Sequence, residues 1–189
     1  MFENLHWLNE PPQWSATADM LSVSTGERTD FWRQTFYGFI RDDGHFLFRE
    51  VSGDFTASVT LDGEYEALYD QLGLMLRVSE TTWLKTGIEY TDGLPHLSTV
   101  VTRDFSDWSV LALPDLRGKV SIRLTRHGTA LRVQFQGAAG RWQLSRLAYL
   151  PLPEVCQVGL MCCSPERSGF RARFTDFSVT EPVARELHG

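Results

Sequence analysis

A period of two, with apolar and polar residues alternating, constrains this chain more than any other feature of its sequence. In DFTASVTLDG (54–63), apolar residues take every second position, and threonine or serine fill the positions between them. The same pattern returns in KVSIRLTRHG (119–128), TALRVQFQG (129–137) and FRARFTDFSV (170–179). A strand with one face in a core and one in water has this pattern. Gly-rich and Asp-Gly turns follow at spacings of about 8–12 residues, which predicts an all-β sandwich or barrel.

Evidence for helix is confined to one segment. EYEALYDQLG (64–73) has helical spacing followed by a glycine, and we interpret it as a short helix over 64–72 or as a loop between strands. No repeat or linker divides the chain, so we expect a single domain over 1–189. Its last residues, 181–189, are expected to form a flexible tail.

Charge and apolar content exclude several function classes. There are 18 basic and 24 acidic residues, a net charge of −6, which argues against nucleic-acid binding because that needs a basic face. No apolar run approaches the ~20 residues of a membrane span. The first residues lack a basic stretch followed by an apolar run, so we expect a cytoplasmic protein.

The three cysteines fit the same compartment. Cys156, Cys162 and Cys163 lie in one apolar stretch, an odd number that makes a poor disulfide framework. We expect Cys156 and Cys162 to be buried and reduced, because they alternate with apolar residues on one strand face. No CxxC or histidine pair accompanies them, so we expect no metal, and no motif calls for a cofactor.

One strand combines charge with an aromatic ring. The chain has 16 arginines but two lysines, and one of these, Lys85, lies inside the strand-like WLKTGIEY (83–90). Trp83, Lys85 and Glu89 share a face with Gly87, at about 6.6–6.8 Å between alternate residues. A stacking ring, two charges and a bare backbone suit a sugar or small polar ligand. The alternative is an exposed Lys85–Glu89 salt bridge, worth about 0–1 kcal/mol.

Other polar and aromatic residues could border the same face. They occur in TDFWRQTFYG (29–38), YDQ (69–71) and SDWS (106–109). The alternative is that they cap turns or fill the core. The candidates in these segments are Asp30, Trp32, Tyr37, Asp70, Gln71, Asp107 and Trp108.

Several of these stretches, in this order, resemble one protein family. EPPQW (10–14), TDFWRQTFYG, WLKTGIEY and VGLMCCSPERSGF (158–170) are similar to the family carrying domain of unknown function 1349, sometimes labelled regulation-of-enolase-like. The resemblance implies a concanavalin A-like jelly-roll sandwich of two antiparallel sheets, as in lectins and glucanases. It implies no particular activity. GAAGRW (137–142) departs from the Asp-Gly that family members often place before this Trp, so the contribution of that hairpin to a site stays open.

The functional expectation is a binding protein. The sequence lacks the alternating acids of related glucanases, and also GxSxG, HExxH, P-loop and GxGxxG motifs. We therefore expect a carbohydrate or small-polar-ligand binding module without catalysis. Two alternatives stay open: an enzyme acting on glycans or sugar derivatives through Glu89 and a second acid, and a protein-interaction or regulatory subunit in carbohydrate metabolism.

Overall fold

The computed structural model describes residues 2–137 and 140–187, and its secondary structure is strand. Within these residues there is no helix, and no segment is long and apolar enough to cross a membrane as a helix. The strands are β1 (His6–Leu8), β2 (Gln13–Ala16), β3 (Met20–Ser24), β4 (Phe31–Arg33), β5 (Ile40–Asp42), β6 (His45–Ser52), β7 (Phe55–Gly63), β8 (Gln71–Ser79), β9 (Thr82–Thr91), β10 (Leu94–Arg103), β11 (Phe105–Ala112), β12 (Val120–His127), β13 (Ala130–Gln136), β14 (Trp142–Tyr149), β15 (Val155–Cys163) and β16 (Arg171–Thr180).

The strands form a jelly-roll sandwich of two antiparallel sheets, as predicted. Over the described residues, the front sheet has seven strands in the order β1-β6-β15-β8-β9-β10-β11. The back sheet also has seven, in the order β14-β13-β12-β7-β16-β3-β2. The short hairpin β4-β5 stands apart from both.

The main core lies between the two sheets, where the predicted alternation places it. On β8, Leu72, Leu74 and Leu76 are fully buried, and on β12 Ile122 and Leu124 face them from the back sheet. Fully burying one such side chain contributes about 1.5–3 kcal/mol. The period of two therefore decides which residues hold the sheets together.

A second, smaller core lies on the opposite face of the front sheet. Phe31 and Trp32 of β4 pack there against Phe46, Trp83 and Met161. The β4-β5 hairpin thus covers part of a face that the alternation alone would leave in water. This cover turns the outer face of β8, β9 and β10 into the floor of a cavity.

Gly73 and Gly87 face each other across β8 and β9. A Cβ on Gly87 would lie 2.0 Å from the carbonyl oxygen of Leu72, and one on Gly73 would lie 1.9 Å from that of Thr86. Real Cβ atoms do not approach so closely, so both positions require glycine. The close approach of the two strands therefore accounts for glycine at position 87.

The predicted short helix over 64–72 is absent, and the loop interpretation is correct. Residues 64–70 form a bend and turn before β8 begins at Gln71. Tyr69 has φ of 67°, outside the right-handed helical region. The Asp70 carboxylate instead accepts the backbone N–H groups of Glu66 and Ala67, both at 3.0 Å.

The C-terminal segment contacts the outer face of the back sheet. The Val183 N–H donates to Oγ1 of Thr56 at 3.0 Å, and Nη2 of Arg132 donates to the carbonyl oxygen of Ala184 at 2.9 Å. Val183 and Ala184, which lie in the predicted flexible tail, thus contact the back sheet. His188 and Gly189, the end of that predicted tail, and Ala138 and Ala139, part of the GAAGRW hairpin, lie outside the described residues.

Candidate functional site

Lys85 forms a buried ion pair with Asp30. Lys85 lies on the outer face of β9, and its Nζ donates to Oδ1 of Asp30 at 2.9 Å. The two side chains are 4% and 13% exposed. The same Asp30 oxygen accepts the Phe31 N–H at 2.7 Å, and Asp30 lies just before β4. The alternative of an exposed Lys85–Glu89 salt bridge is wrong, because the Lys85 ammonium group pairs with Asp30 and is buried.

Glu89 lies four residues further along the same face and is also buried. Ser98 of β10 donates its hydroxyl to Oε2 of Glu89 at 2.6 Å, and the Trp108 indole N–H of β11 donates to that hydroxyl at 3.1 Å. No ion pair to Glu89 occurs within the described residues. Burial raises the pKa of the Glu89 carboxyl, although the Lys85 charge and the Ser98 hydrogen bond oppose the rise.

The electrostatics of Lys85 differ from those of Glu89. Burial by itself lowers the pKa of the Lys85 ammonium, but the Asp30 carboxylate and other nearby acidic groups raise it, and the net direction is upward. Lys85 therefore stays charged at neutral pH, while Glu89 is held closer to its neutral form. The floor of the site thus offers a cation already matched by Asp30 and a carboxyl without a matching cation.

These groups line a cavity of about 230 Å³. Lys85, Glu89 and Gln71 lie on its floor, which the front sheet supplies. Aromatic side chains form much of its wall, from the hairpin, the β7-β8 loop and β11. These aromatic residues are Trp32, Tyr37, Phe39, Tyr69 and Trp108.

Two tyrosines join opposite sides of this wall. The hydroxyls of Tyr37, from the hairpin loop, and Tyr69, from the loop before β8, lie 2.7 Å apart and share a hydrogen bond. Burial and this hydrogen bond raise the pKa of Tyr69. Tyr69 holds a positive φ, a conformation that costs about 1–3 kcal/mol in a residue with a side chain and is frequent at functional sites.

Most of the residues proposed from the sequence meet at this cavity. The hairpin, β8, β9 and β11 bring them together from four separate segments. The proposed residues that line the cavity are Asp30, Trp32, Tyr37, Gln71, Lys85, Glu89 and Trp108.

Three proposed residues do not line it. Trp83 is fully buried beneath Phe31, with 6.2 Å between ring centroids, so it supports the hairpin and cannot stack on a ligand. Asp70 is fully buried too, and its Oδ2 accepts Nη2 of Arg167 at 2.7 Å. Asp107 lies in a neighbouring groove.

Sequence reasoning missed the contributions of Ser98 and Tyr69. Ser98 lies directly opposite Gly87 in the β9-β10 ladder. The turn between Thr91 and Leu94 sets this pairing, and the strand period then places the Ser98 side chain on the face of Glu89, so the sequence does contain a signal for Ser98. Tyr69 carries no such signal, because it lies in an irregular loop. Among the described residues, no group of three or more histidine, cysteine or acidic side chains is placed to hold a metal ion.

Comparison with known proteins identifies the family. The model of the family described as "Protein of unknown function (DUF1349)" matches residues 7–182. The chain belongs to this family. A family relative from Saccharomyces cerevisiae (strain ATCC 204508 / S288c), "Regulation of enolase protein 1", is 43% identical over 182 residues, which cover 96% of this chain and 92% of the relative.

Solved structures agree on the fold. A crystal structure of a functionally unknown protein from Saccharomyces cerevisiae superposes with a TM-score of 0.92 at 42% identity and covers 97% of this chain and 99% of that one. The carbohydrate-binding module CBM66 from Bacillus subtilis superposes with a TM-score of 0.58 at 14% identity, covering 94% of this chain and 98% of the module. At that identity the likeness concerns the jelly-roll fold alone.

Proposed function

We propose that the cavity over Lys85 and Glu89 binds a neutral carbohydrate or a similar small polyhydroxyl molecule. The observation that carries this proposal is that one cavity combines buried charged groups, which can form hydrogen bonds, with aromatic walls. Sugar hydroxyls both donate and accept hydrogen bonds, and the apolar faces of sugar rings pack on aromatic rings. Glu89 and Gln71 supply acceptors and donors on the floor, and Trp108 supplies a ring at the wall.

The charges of the site favour a neutral ligand over a phosphorylated one. Lys85 is already paired with Asp30, and Arg41 at the wall is paired with Asp43 at 3.1 Å. Glu89 adds negative charge when it ionises. A phosphate group would therefore meet no unmatched cation on the cavity lining, whereas phosphate sites usually present free arginine or lysine groups.

The size of the cavity also favours a small sugar. The cavity of about 230 Å³ is smaller than the ~300–1,000 Å³ of sites for drug-sized ligands. A single sugar ring is the kind of molecule that suits this volume. The jelly-roll fold shared with a carbohydrate-binding module supports the proposal at the level of architecture.

A thermal-shift screen with neutral sugars and their phosphates tests the proposal. A sugar at 100 times its Kd should add about 2.7 kcal/mol to the free energy of unfolding. Glu89→Gln keeps the size of the side chain but removes its charge, and it should weaken binding about tenfold, since a hydrogen bond to a charged group contributes about 1.5–3 kcal/mol. The exposed Glu50→Gln is the matched control and should bind as the wild type does. Stabilisation by sugar phosphates alone, or unchanged affinity in Glu89→Gln, would contradict the proposal.

A second candidate is acid–base catalysis on the bound sugar. It is favoured by the raised pKa of Glu89 and by the presence of Asp30 in the same cavity, since such carboxyls serve as general acids. Incubation with p-nitrophenyl glycosides tests it. Release of nitrophenol by the wild type and its loss in Glu89→Gln would support catalysis, and no release from any glycoside would leave binding alone.

The name of the yeast relative supports a regulatory role as a third candidate. In this role the chain would be a cytoplasmic protein that binds an enzyme of carbohydrate metabolism, and the three buried, unpaired cysteines fit a reducing compartment. Titration of purified yeast enolase into the protein by calorimetry tests the role. Heat of binding would support it, and its absence at about 100 μM of each protein would exclude an affinity in the micromolar range.

A further inference from the structure

A second, more open groove of about 500 Å³ adjoins the cavity. Trp32, Tyr37 and Trp108 line both spaces, so these three rings lie between the cavity and the groove. Phe36 and Ser106 belong to the groove alone. A ligand that extends from the cavity over the edges of these rings would reach the groove.

The most exposed aromatic side chain of the described structure borders this groove. Phe36 is 93% exposed, and its ring meets the Tyr37 ring edge-on at 5.1 Å between centroids. Full exposure of a phenylalanine forgoes about 1.5–3 kcal/mol of burial. Its place beside a groove that adjoins a polar cavity points to a ligand that covers it.

The backbone holds Phe36 in this position at a cost. Gln34 and Phe36 have φ of 57° and 66°. The Thr35 N–H donates to the Arg33 carbonyl oxygen at 2.7 Å, and the Tyr37 N–H donates to the Thr35 carbonyl oxygen at 2.8 Å. These bonds close two successive γ-turns centred on Gln34 and Phe36, and both turns are of the strained type with positive φ. Such strain persists where the surrounding structure holds it, and it clusters at binding sites.

Neighbouring contacts keep the strained loop in place. The Trp32 indole N–H donates to the carbonyl oxygen of Thr35 at 3.0 Å, and the Gln34 N–H donates to that of Phe39 at 2.7 Å. The Tyr37 ring stacks on Phe39 at 5.3 Å with 19° between the planes. The loop is thus preorganised, which reduces the entropy lost when a ligand binds.

We infer that the groove is a second subsite and that the ligand of this protein is a glycoside of two or more units, with its terminal sugar in the cavity and its second ring against Phe36 and Trp108. This inference rests on the proposed function of the cavity. It adds the ligand's length and orientation: the chain end is enclosed over Lys85 and Glu89, and the rest leaves through the open groove. The occupant is a second ring because the groove adjoins the cavity and its own wall is mainly aromatic.

Calorimetric titration with matched sugars tests the inference. The probes are glucose, galactose and xylose, and cellobiose, lactose and xylobiose, which carry the same sugars at their non-reducing ends. We expect at least one disaccharide to bind about tenfold or more tightly than its terminal monosaccharide, a gain in the range of one aromatic contact. Phe36→Ala should remove most of that gain while leaving monosaccharide affinity within about twofold.

The control is Tyr149→Ala, which removes another exposed aromatic ring, on β14 of the back sheet, and should change neither affinity. Disaccharides that bind no more tightly than monosaccharides, or a gain that survives Phe36→Ala, would overturn the second subsite and leave the cavity proposal standing. A wild-type protein that binds none of the six sugars would overturn the cavity proposal, and the subsite with it.

Discussion

Replacing Lys85 by methionine should destabilise the protein far more than the loss of a surface charge does. Its ammonium lies 2.9 Å from Oδ1 of Asp30, and the two side chains are 4% and 13% exposed. Removing one partner of a buried ion pair costs about 3–5 kcal/mol because the other charge stays buried. Asp30 keeps its hydrogen bond from the Phe31 N–H, so we expect the lower end, about 3 kcal/mol.

Urea unfolding monitored by tryptophan fluorescence measures this cost. About 3 kcal/mol corresponds to a fall of about 6–12 °C in Tm for a chain of this size. The double variant Lys85→Met with Asp30→Asn removes both charges and should be more stable than Lys85→Met alone, because neutral replacements of a buried pair are often tolerated. A cost below about 1 kcal/mol for Lys85→Met, or a double variant that loses the sum of the two single changes, would refute the buried pair.

Three further predictions concern the same sheet. Glu89 has a raised pKa in the folded state, so the folded protein binds more protons than the unfolded chain and loses stability as pH rises above 4.5. Urea unfolding at pH 4 and pH 7 should therefore show that Glu89→Gln gains stability relative to wild type at the higher pH. A stability difference that stays the same at both pH values would contradict this. Gly87→Ala should cost about 1–3 kcal/mol or more, because the new Cβ would meet the Leu72 carbonyl oxygen at 2.0 Å; an unchanged Tm would show that the strands separate easily. Cys156 and Cys162 are buried and burial raises the pKa of both thiols, so a bulky disulfide reagent should label them on unfolding, and rapid labelling of the native protein would contradict their placement.

The strand period was sufficient to predict an all-β sandwich or barrel and part of the site. It assigns Ile122 and Leu124 of β12 to the core, and it puts Lys85 and Glu89 on one face of β9. These are local consequences of side chains alternating along a strand, so they need no knowledge of distant segments.

Tertiary contacts decided the rest. The pairing of Lys85 with Asp30 joins residues 55 positions apart, and no local pattern shows that the β4-β5 hairpin folds over the front sheet. The same hairpin buries Trp83, which the alternation would leave in water. Asp70 is likewise removed from the site by Arg167, 97 positions further along the chain.

The indole N–H signals of the tryptophans offer the most direct test that the cavity binds a sugar. Trp32 and Trp108 line the cavity, whereas Trp142 lies on the back sheet, where its ring is 4.4 Å from the guanidinium carbon of Arg123. In a ¹⁵N-labelled sample titrated with lactose, cellobiose and xylobiose, we expect the Trp32 and Trp108 signals to shift with a saturable dependence on at least one sugar, while that of Trp142 stays in place. Signals of Trp32 and Trp108 that remain unmoved by all three sugars, or a shift confined to Trp142, would contradict this expectation.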